Sequence, residues 1–258
     1  MKQFLLGIIA VATISQTTQA VETAGYFRAW QGFTKAGMNQ AQFLSELPQF
    51  MKDTVQIYRE RALNNYLVVI PPANRPAYVP DELALVALNN KETYDSIRAT
   101  PEGQAYSARH WDVFNKDISK SSTPEAMPEA LVNNKAYNII GENINWARGA
   151  TYVFIGTKKS AFSTGSFLKE LYSHVALAKK VMLPKGLRGY VIIANENYEV
   201  AYLNWESKEA HDSAGQSEDG KGVFADANRI MDVLMYQQAL PFNAGDAVSP
   251  DKAYSTLQ

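Results

Sequence analysis

The sequence predicts an α+β protein made of two copies of a βαββαβ unit in one chain. Three observations carry this. Phe43-Leu44-x-Glu46-Leu47 returns as Phe167-Leu168-x-Glu170-Leu171, an offset of 124 (167 − 43) that also lays Leu63 on Leu187 and Tyr66 on Tyr190. Lys91-Glu92-x-x-Asp95-Ser96 returns as Lys208-Glu209-x-x-Asp212-Ser213 at an offset of 117 (208 − 91). The shorter offset means extra residues in the first copy, where Pro71, Pro72, Pro76 and Pro80 mark a stiff loop in which an insertion costs little. Finally, Tyr152–Ile155 and Tyr190–Ile193 are apolar at every position, so both faces of their sheet must be covered.

Taken in order, Tyr26–Phe33 reads as the first strand. Phe43, Leu44, Leu47, Met51, Val55 and Tyr58 recur at three- and four-residue steps and make 38–61 a helix, with Pro48 expected to kink it or delay its start. Asn65–Ile70 and Leu83–Leu88 read as strands. Asn90 caps a following helix or pair of helices to about residue 108, and His110–Phe114 reads as a short fourth strand, matched through Asp112-Val113 to Asp232-Val233. The stretch 118–147 reads as a linker holding one extra strand within 137–144. The second copy then repeats the order: strand 151–156, helix 166–182, strands 189–194 and 199–205, a helix from Ser207 broken at Gly215 and Gly220, and strand 232–237. The organisation expected is a leader at 1–20, repeats at 21–117 and 148–242, and a loose tail at 243–258.

The 258 residues carry a formal net charge of −1 with no basic run, which argues against a nucleic-acid partner or a polybasic membrane patch. Lys2, the apolar run 4–14 and small Thr18 and Ala20 form a secretory leader cut after Ala20, too short for a membrane span. A periplasmic or secreted protein follows, without stable membrane insertion. With no cysteine, disulfides and thiolate catalysis are excluded. The three histidines show no zinc-site spacing, no metal is expected, and neither a phosphate loop nor a nucleophile elbow occurs.

Two such repeats, each a split βαβ unit, bury their second sheet faces best against each other. In this the chain resembles the dimeric α+β barrel superfamily, in which two ferredoxin-like units close an eight-stranded barrel. Here both would lie in one chain, as a pseudo-dimeric α+β barrel similar to the chlorite dismutase-like and dye-decolourising peroxidase-like branches. The resemblance covers about 26–116 and 151–238 and rests on element order and duplication. It implies a ligand in the space between helices and sheet. A monomer or weak homo-oligomer is expected.

His174 is the leading candidate residue. It lies on the apolar face of its helix with Phe167 and Leu171, where the first repeat has Phe50. An imidazole there is either a general base or a core side chain bonded to a carbonyl or tyrosine. Tyr190 and Tyr202 are the candidate proton-transfer tyrosines beside it. Asn195, Asn204, Trp205 and Tyr236 are the candidate ligand contacts on strands of the second repeat. His110 and His211 read as structural or rim residues. The second repeat is therefore expected to hold the site and the first to be scaffold. Three functions compete: a cofactor-independent monooxygenase-, isomerase- or lyase-like enzyme acting on a small organic substrate; a haem protein with His174 as proximal ligand, as the resemblance implies; and a non-enzymatic stress or ligand-binding protein.

Overall fold

The computed structural model describes residues 23–58, 61–243 and 245–257; the leader expected at 1–20 lies outside the described residues. The first repeat comprises β1 (Tyr26–Gly32), α1 (Gln40–Tyr58), β2 (Leu63–Ile70), β3 (Glu82–Leu88), α2 (Lys91–Arg98), α3 (Pro101–Val113) and β4 (Lys120–Ser122). Between the repeats stand β5 (Glu125–Ala126) and β6 (Lys135–Asn138). The second repeat comprises β7 (Ala150–Lys158), α4 (Thr164–Met182), a 3-10 turn at Leu183–Lys185, β8 (Leu187–Ala194), β9 (Tyr198–Trp205), α5 (Lys208–Gln216), α6 (Glu218–Ile230) and β10 (Met231–Gln238). Two further strands follow, β11 (Leu240–Pro241) and β12 (Lys252–Ser255). Among the described residues no helix is long and apolar enough to cross a membrane.

Local chemistry explains the breaks between helices, and it is duplicated. Asn90 and Ser207 cap α2 and α5, accepting from Thr93 N and Ala210 N. Thr100 and Ser217 cap α3 and α6, accepting from Gly103 N and Gly220 N. A Cβ on Gly103 would lie 2.2 Å from Ile97 O, and one on Gly220 1.9 Å from Ala214 O, so each cap needs a glycine behind it. The α1 helix runs through Pro48.

The strand order β4-β1-β3-β2 in one sheet is matched by β10-β7-β9-β8 in the other, two ferredoxin-like units. They form one α+β barrel. Phe27, Leu67, Leu85, Val153, Val191 and Val200 belong to a single buried cluster between the sheets, drawn from both repeats. Two separate clusters lie under the helices, one per repeat. The layering is helices, sheet, sheet, helices, which is why the strands are apolar on both faces.

Three expectations are corrected. His110–Phe114 is not a strand: it is the end of α3, where Tyr106, His110 and Val113 recur at helical steps. The first repeat's fourth strand is β4, a polar three-residue segment within the supposed linker, pairing Ala29 with Ser122 at a sheet edge. The match of Asp112-Val113 to Asp232-Val233 fails with it, since the helix ends Val113 and Ile230 correspond at the offset of 117. Nor are the described residues of the expected tail all loose: β12 pairs antiparallel with β2, Tyr254 opposite Val68.

That pairing exposes a deeper duplication. Asn134-Lys135-Ala136-Tyr137 returns as Asp251-Lys252-Ala253-Tyr254, again 117 residues on (251 − 134). Asn134 (φ 62°) and Asp251 (φ 58°) are the non-glycine residues with positive φ among those described, a conformation Asn and Asp tolerate best. Tyr137 Oη accepts from Val132 N at 3.0 Å, and Tyr254 Oη accepts from Ser249 N at 2.8 Å. β6 pairs with β8 of the second repeat while β12 pairs with β2 of the first, so each repeat's trailing strand covers the other repeat's sheet edge. Replacing either tyrosine by alanine removes a buried ring and a loop tether together. Tyr137→Ala and Tyr254→Ala should each lower unfolding free energy by about 3 kcal/mol, measured by urea denaturation; a loss under about 1 kcal/mol for both would show that the exchanged strands are not needed for stability.

Candidate functional site

In β3 the side chains alternate. Leu83, Leu85 and Ala87 enter the cluster between the sheets, while Glu82, Ala84 and Val86 face the helices. Glu82 is 1% exposed. The same phase in β9 sends Glu199, also 1% exposed, toward the helices of the second repeat. The two glutamates are 117 residues apart (199 − 82), and each has the same companions. Tyr66 lies beside Glu82, donating to Oε1 at 3.4 Å, and Tyr190 lies beside Glu199. Gly32 is paired across the sheet with Glu82, and Gly156 with Glu199. A Cβ on Gly32 would lie 2.5 Å from both Trp30 Nε1 and Phe114 Cε1; one on Gly156 would lie 2.7 Å from Met231 Sδ. Each repeat thus carries a glycine–tyrosine–glutamate group at the base of its helix–sheet space. Sequence reading missed the glutamates, although an acid heading an apolar strand twice at the established offset was a usable signal.

Burial drives both carboxyls up to about 8, with the Tyr66 hydroxyl and Trp30 indole opposing the rise at Glu82 and the Tyr190 hydroxyl opposing it at Glu199. Both are therefore protonated at neutral pH and avoid the cost of an unpaired buried charge. One oxygen of each, Glu82 Oε2 and Glu199 Oε1, has no hydrogen-bond partner.

The two spaces above the acids differ. In the first repeat a cavity of about 240 Å³ separates sheet from helices. Trp30, Tyr66 and Glu82 form its floor, and Phe50, Thr54, Tyr58, Tyr106, His110 and Trp111 its roof. Thr54 donates to Phe50 O at 2.9 Å, so its oxygen accepts from the Tyr106 hydroxyl. His110 Nδ1 stands 3.1 Å from Tyr106 O, which makes it the protonated nitrogen of the neutral ring and leaves Nε2 an acceptor. Burial pushes this imidazole down to about 4. In the second repeat only about 50 Å³ is open. The expectation that the first repeat is scaffold and the second holds the space is thus reversed in volume: α6 residues Val223, Phe224 and Ala227 close over the second acid.

His174, Tyr190, Trp205 and Tyr236 do come together around that smaller space, with Glu199. His174 is 5% exposed and its Nδ1 meets Asp226 Oδ2 at 3.0 Å. Burial lowers the His174 pKa, with Asp226 opposing. Tyr236 Oη bonds His211 Nε2 at 2.6 Å. The remaining candidates lie elsewhere. Tyr202 points into the cluster between the sheets, its hydroxyl unpartnered. Asn204, on the same face, bonds Thr151 Oγ1 and Arg148 O. Asn195 bonds Asn134 Oδ1 at the turn before β6. Haem does not fit beside His174: about 50 Å³ is far below the roughly 300–1,000 Å³ of sites for sizeable ligands. Among the described residues no group of three or more His, Asp or Glu is placed to hold a metal ion.

No family model matches the chain, and no curated protein matches it. Solved structures with overlapping architecture include a Fusobacterium nucleatum protein provisionally described as a monooxygenase, 8% identical over 83% of this chain and 94% of that one, TM-score 0.44. An anthrone oxidase-like protein is 14% identical over 87% and 95%, TM-score 0.37. An aldoxime dehydratase is 10% identical over 85% and 82%, TM-score 0.28.

The titration directions give a test. Glu82 and Glu199 ionise near 4.5 when unfolded and near 8 when folded, so the folded state holds more protons in that range and stability falls as pH rises through it. His110 and His174, lowered from 6.5, contribute stability above pH 6.5 that is lost as pH falls below it. Between pH 6.5 and 8 the two carboxyls outweigh the histidines, at about 2 kcal/mol each. Thermal unfolding of the natural chain should drop over this window, and the doubly substituted Glu82→Gln/Glu199→Gln chain should be flat. An equal slope in both would place the titration elsewhere.

Proposed function

We propose that the chain is an exported protein that takes a small organic molecule into the helix–sheet cavity of its first repeat and transforms it by proton transfer, an isomerase- or lyase-type reaction. The observation that carries this reading is Glu82: a fully buried carboxyl, protonated at neutral pH, lining the floor of an aromatic cavity with one oxygen lacking a hydrogen-bond partner. His110, neutral and lining the same cavity, supplies the complementary base. The two environments push the pKa values apart in the useful sense, so the proton sits on the carboxyl and the lone pair on the imidazole. On an enolisable substrate His110 Nε2 takes the proton from carbon while Glu82 delivers one to the developing oxyanion, and Tyr66 holds the carboxyl in place. The aromatic lining excludes water and packs a planar substrate.

A second reading places the chemistry in the second repeat, with His174 as base, Tyr190 as positioning group and Trp205 and Tyr236 as contacts; the His174–Asp226 pair beside a second buried acid favours it. Deuterium exchange into a panel of aryl ketones in D2O, followed by NMR, separates the readings. Glu82→Gln and His110→Ala should each slow exchange about 10²-fold or more, and His174→Ala should not. Loss on His174→Ala alone moves the site to the second repeat. Failure of the natural chain to accelerate any member favours a non-enzymatic binding role.

Export rests on the leader-like residues 1–20. Protein recovered from the producing cell's envelope or medium should begin at Val21 by mass spectrometry; material starting at Met1 in the cytoplasm would refute export.

A further inference from the structure

Resting on the first-repeat cavity as the binding site, we propose that its ligand is a small aromatic carboxylate, whose anionic group sits between Arg28 and Arg98 while its ring lies toward Glu82. Both arginines line the cavity, and exposed Arg98 and Ser121 mark its mouth. They flank one ring: the Arg28 guanidinium carbon is 5.9 Å and that of Arg98 5.7 Å from the centre of Tyr94. Two like charges gathered on one ring at a cavity mouth repel each other unless an anion joins them. Among the described residues neither has a carboxylate within ion-pair distance, whereas neighbouring Arg109, which lies over Phe50, is matched by Asp53.

Arg28 is also built in. Its Nη1 donates to Thr123 Oγ1 at 3.0 Å and its Nη2 to Ser121 Oγ, which fixes the planar head, while Nε is buried with no hydrogen-bond partner. Nη1 and Nη2 each keep a second N–H beyond the one given to Thr123 or Ser121, so the fixed guanidinium can still donate to a carboxylate, and a second arginine adds charge without needing the same fixed geometry.

The two arginines place positive charge at the mouth. It reaches Tyr58, where both arginines oppose the rise that burial causes, and Arg98 helps keep His110 neutral. It does not figure among the influences on Glu82, whose environment is set by burial, Trp30 and Tyr66. The cavity therefore has a cationic mouth and a neutral acid floor, joined by Trp30, Tyr66, Tyr94 and Tyr106. A flat molecule with an anion at one end and a proton-accepting group at the other matches both ends. About 240 Å³ suits one substituted ring.

The test is calorimetric binding of benzoate, 4-hydroxybenzoate and cinnamate, each beside its own amide, to the full chain, to Arg28→Gln/Arg98→Gln and to Glu82→Gln, with thermal unfolding confirming that each variant is folded. At least one acid should bind the natural chain 10-fold or more tighter than its amide. The double arginine variant should lose that preference while keeping the amide's affinity, and added salt should weaken the acid alone. Equal affinity for acid and amide in the natural chain, with Glu82→Gln altering both, would overturn the carboxylate assignment and leave the cavity reading standing. A preference that survives in the double variant would place the anion elsewhere and overturn it too. Should no acid or amide bind, the cavity reading fails and this assignment with it.

Discussion

Each sheet in this protein has two apolar faces and one set of helices. That shortage of cover dictates the architecture. The uncovered faces can be buried only against each other, and the cluster containing Phe27, Leu85, Val153 and Val191 is the result. Once the sheets stack, their edges must also be closed. β4 leads into β5, and β10 into β11, so the chain passes from one sheet to the other after each fourth strand. β6 and β12 then cover the far edges. The helix–sheet spaces, left over on the outside, are where the acids and cavities lie.

The fold was legible because duplication preserves identity where packing demands it. Phe43 and Phe167, Leu47 and Leu171, Tyr66 and Tyr190 occupy matching buried positions. β4 was missed because a three-residue polar edge strand contributes only backbone pairing, which leaves no side-chain pattern. α3 was cut short because His110–Phe114 is brief enough to satisfy either period. The recurrence of Lys-Ala-Tyr at 135 and 252 was in the sequence, yet it lay in segments whose texture suggested loops.

The site was less legible, and the reason is strand phase. Tyr190, Trp205 and Tyr236 lie with His174 around one small space, whereas Tyr202 and Asn204 sit one step out of phase on β9 and face the other sheet. Glu82 and Glu199 are in phase with the cavities, and their burial shows only in three dimensions. The Phe50-for-His174 exchange also pointed to one half on incomplete grounds. Phe50 does have an imidazole against it, that of His110 on α3, with ring centres 4.5 Å apart. The first repeat places His110 of α3 under its helices, and the second places His174 of α4 and His211 of α5 there.

The exchange of trailing strands bears on the order of events during synthesis. β2 is made early, but its edge partner β12 is translated some 180 residues later (252 − 70). Until then the first sheet presents an open strand edge, apolar from Leu67 to Ile70, to any chain nearby. The edge of the first sheet is thus closed by one of the last strands made, through a contact distant in sequence. Under the proposed export, a final strand that locks the first half only at the end would keep the polypeptide threadable until nearly all of it is through.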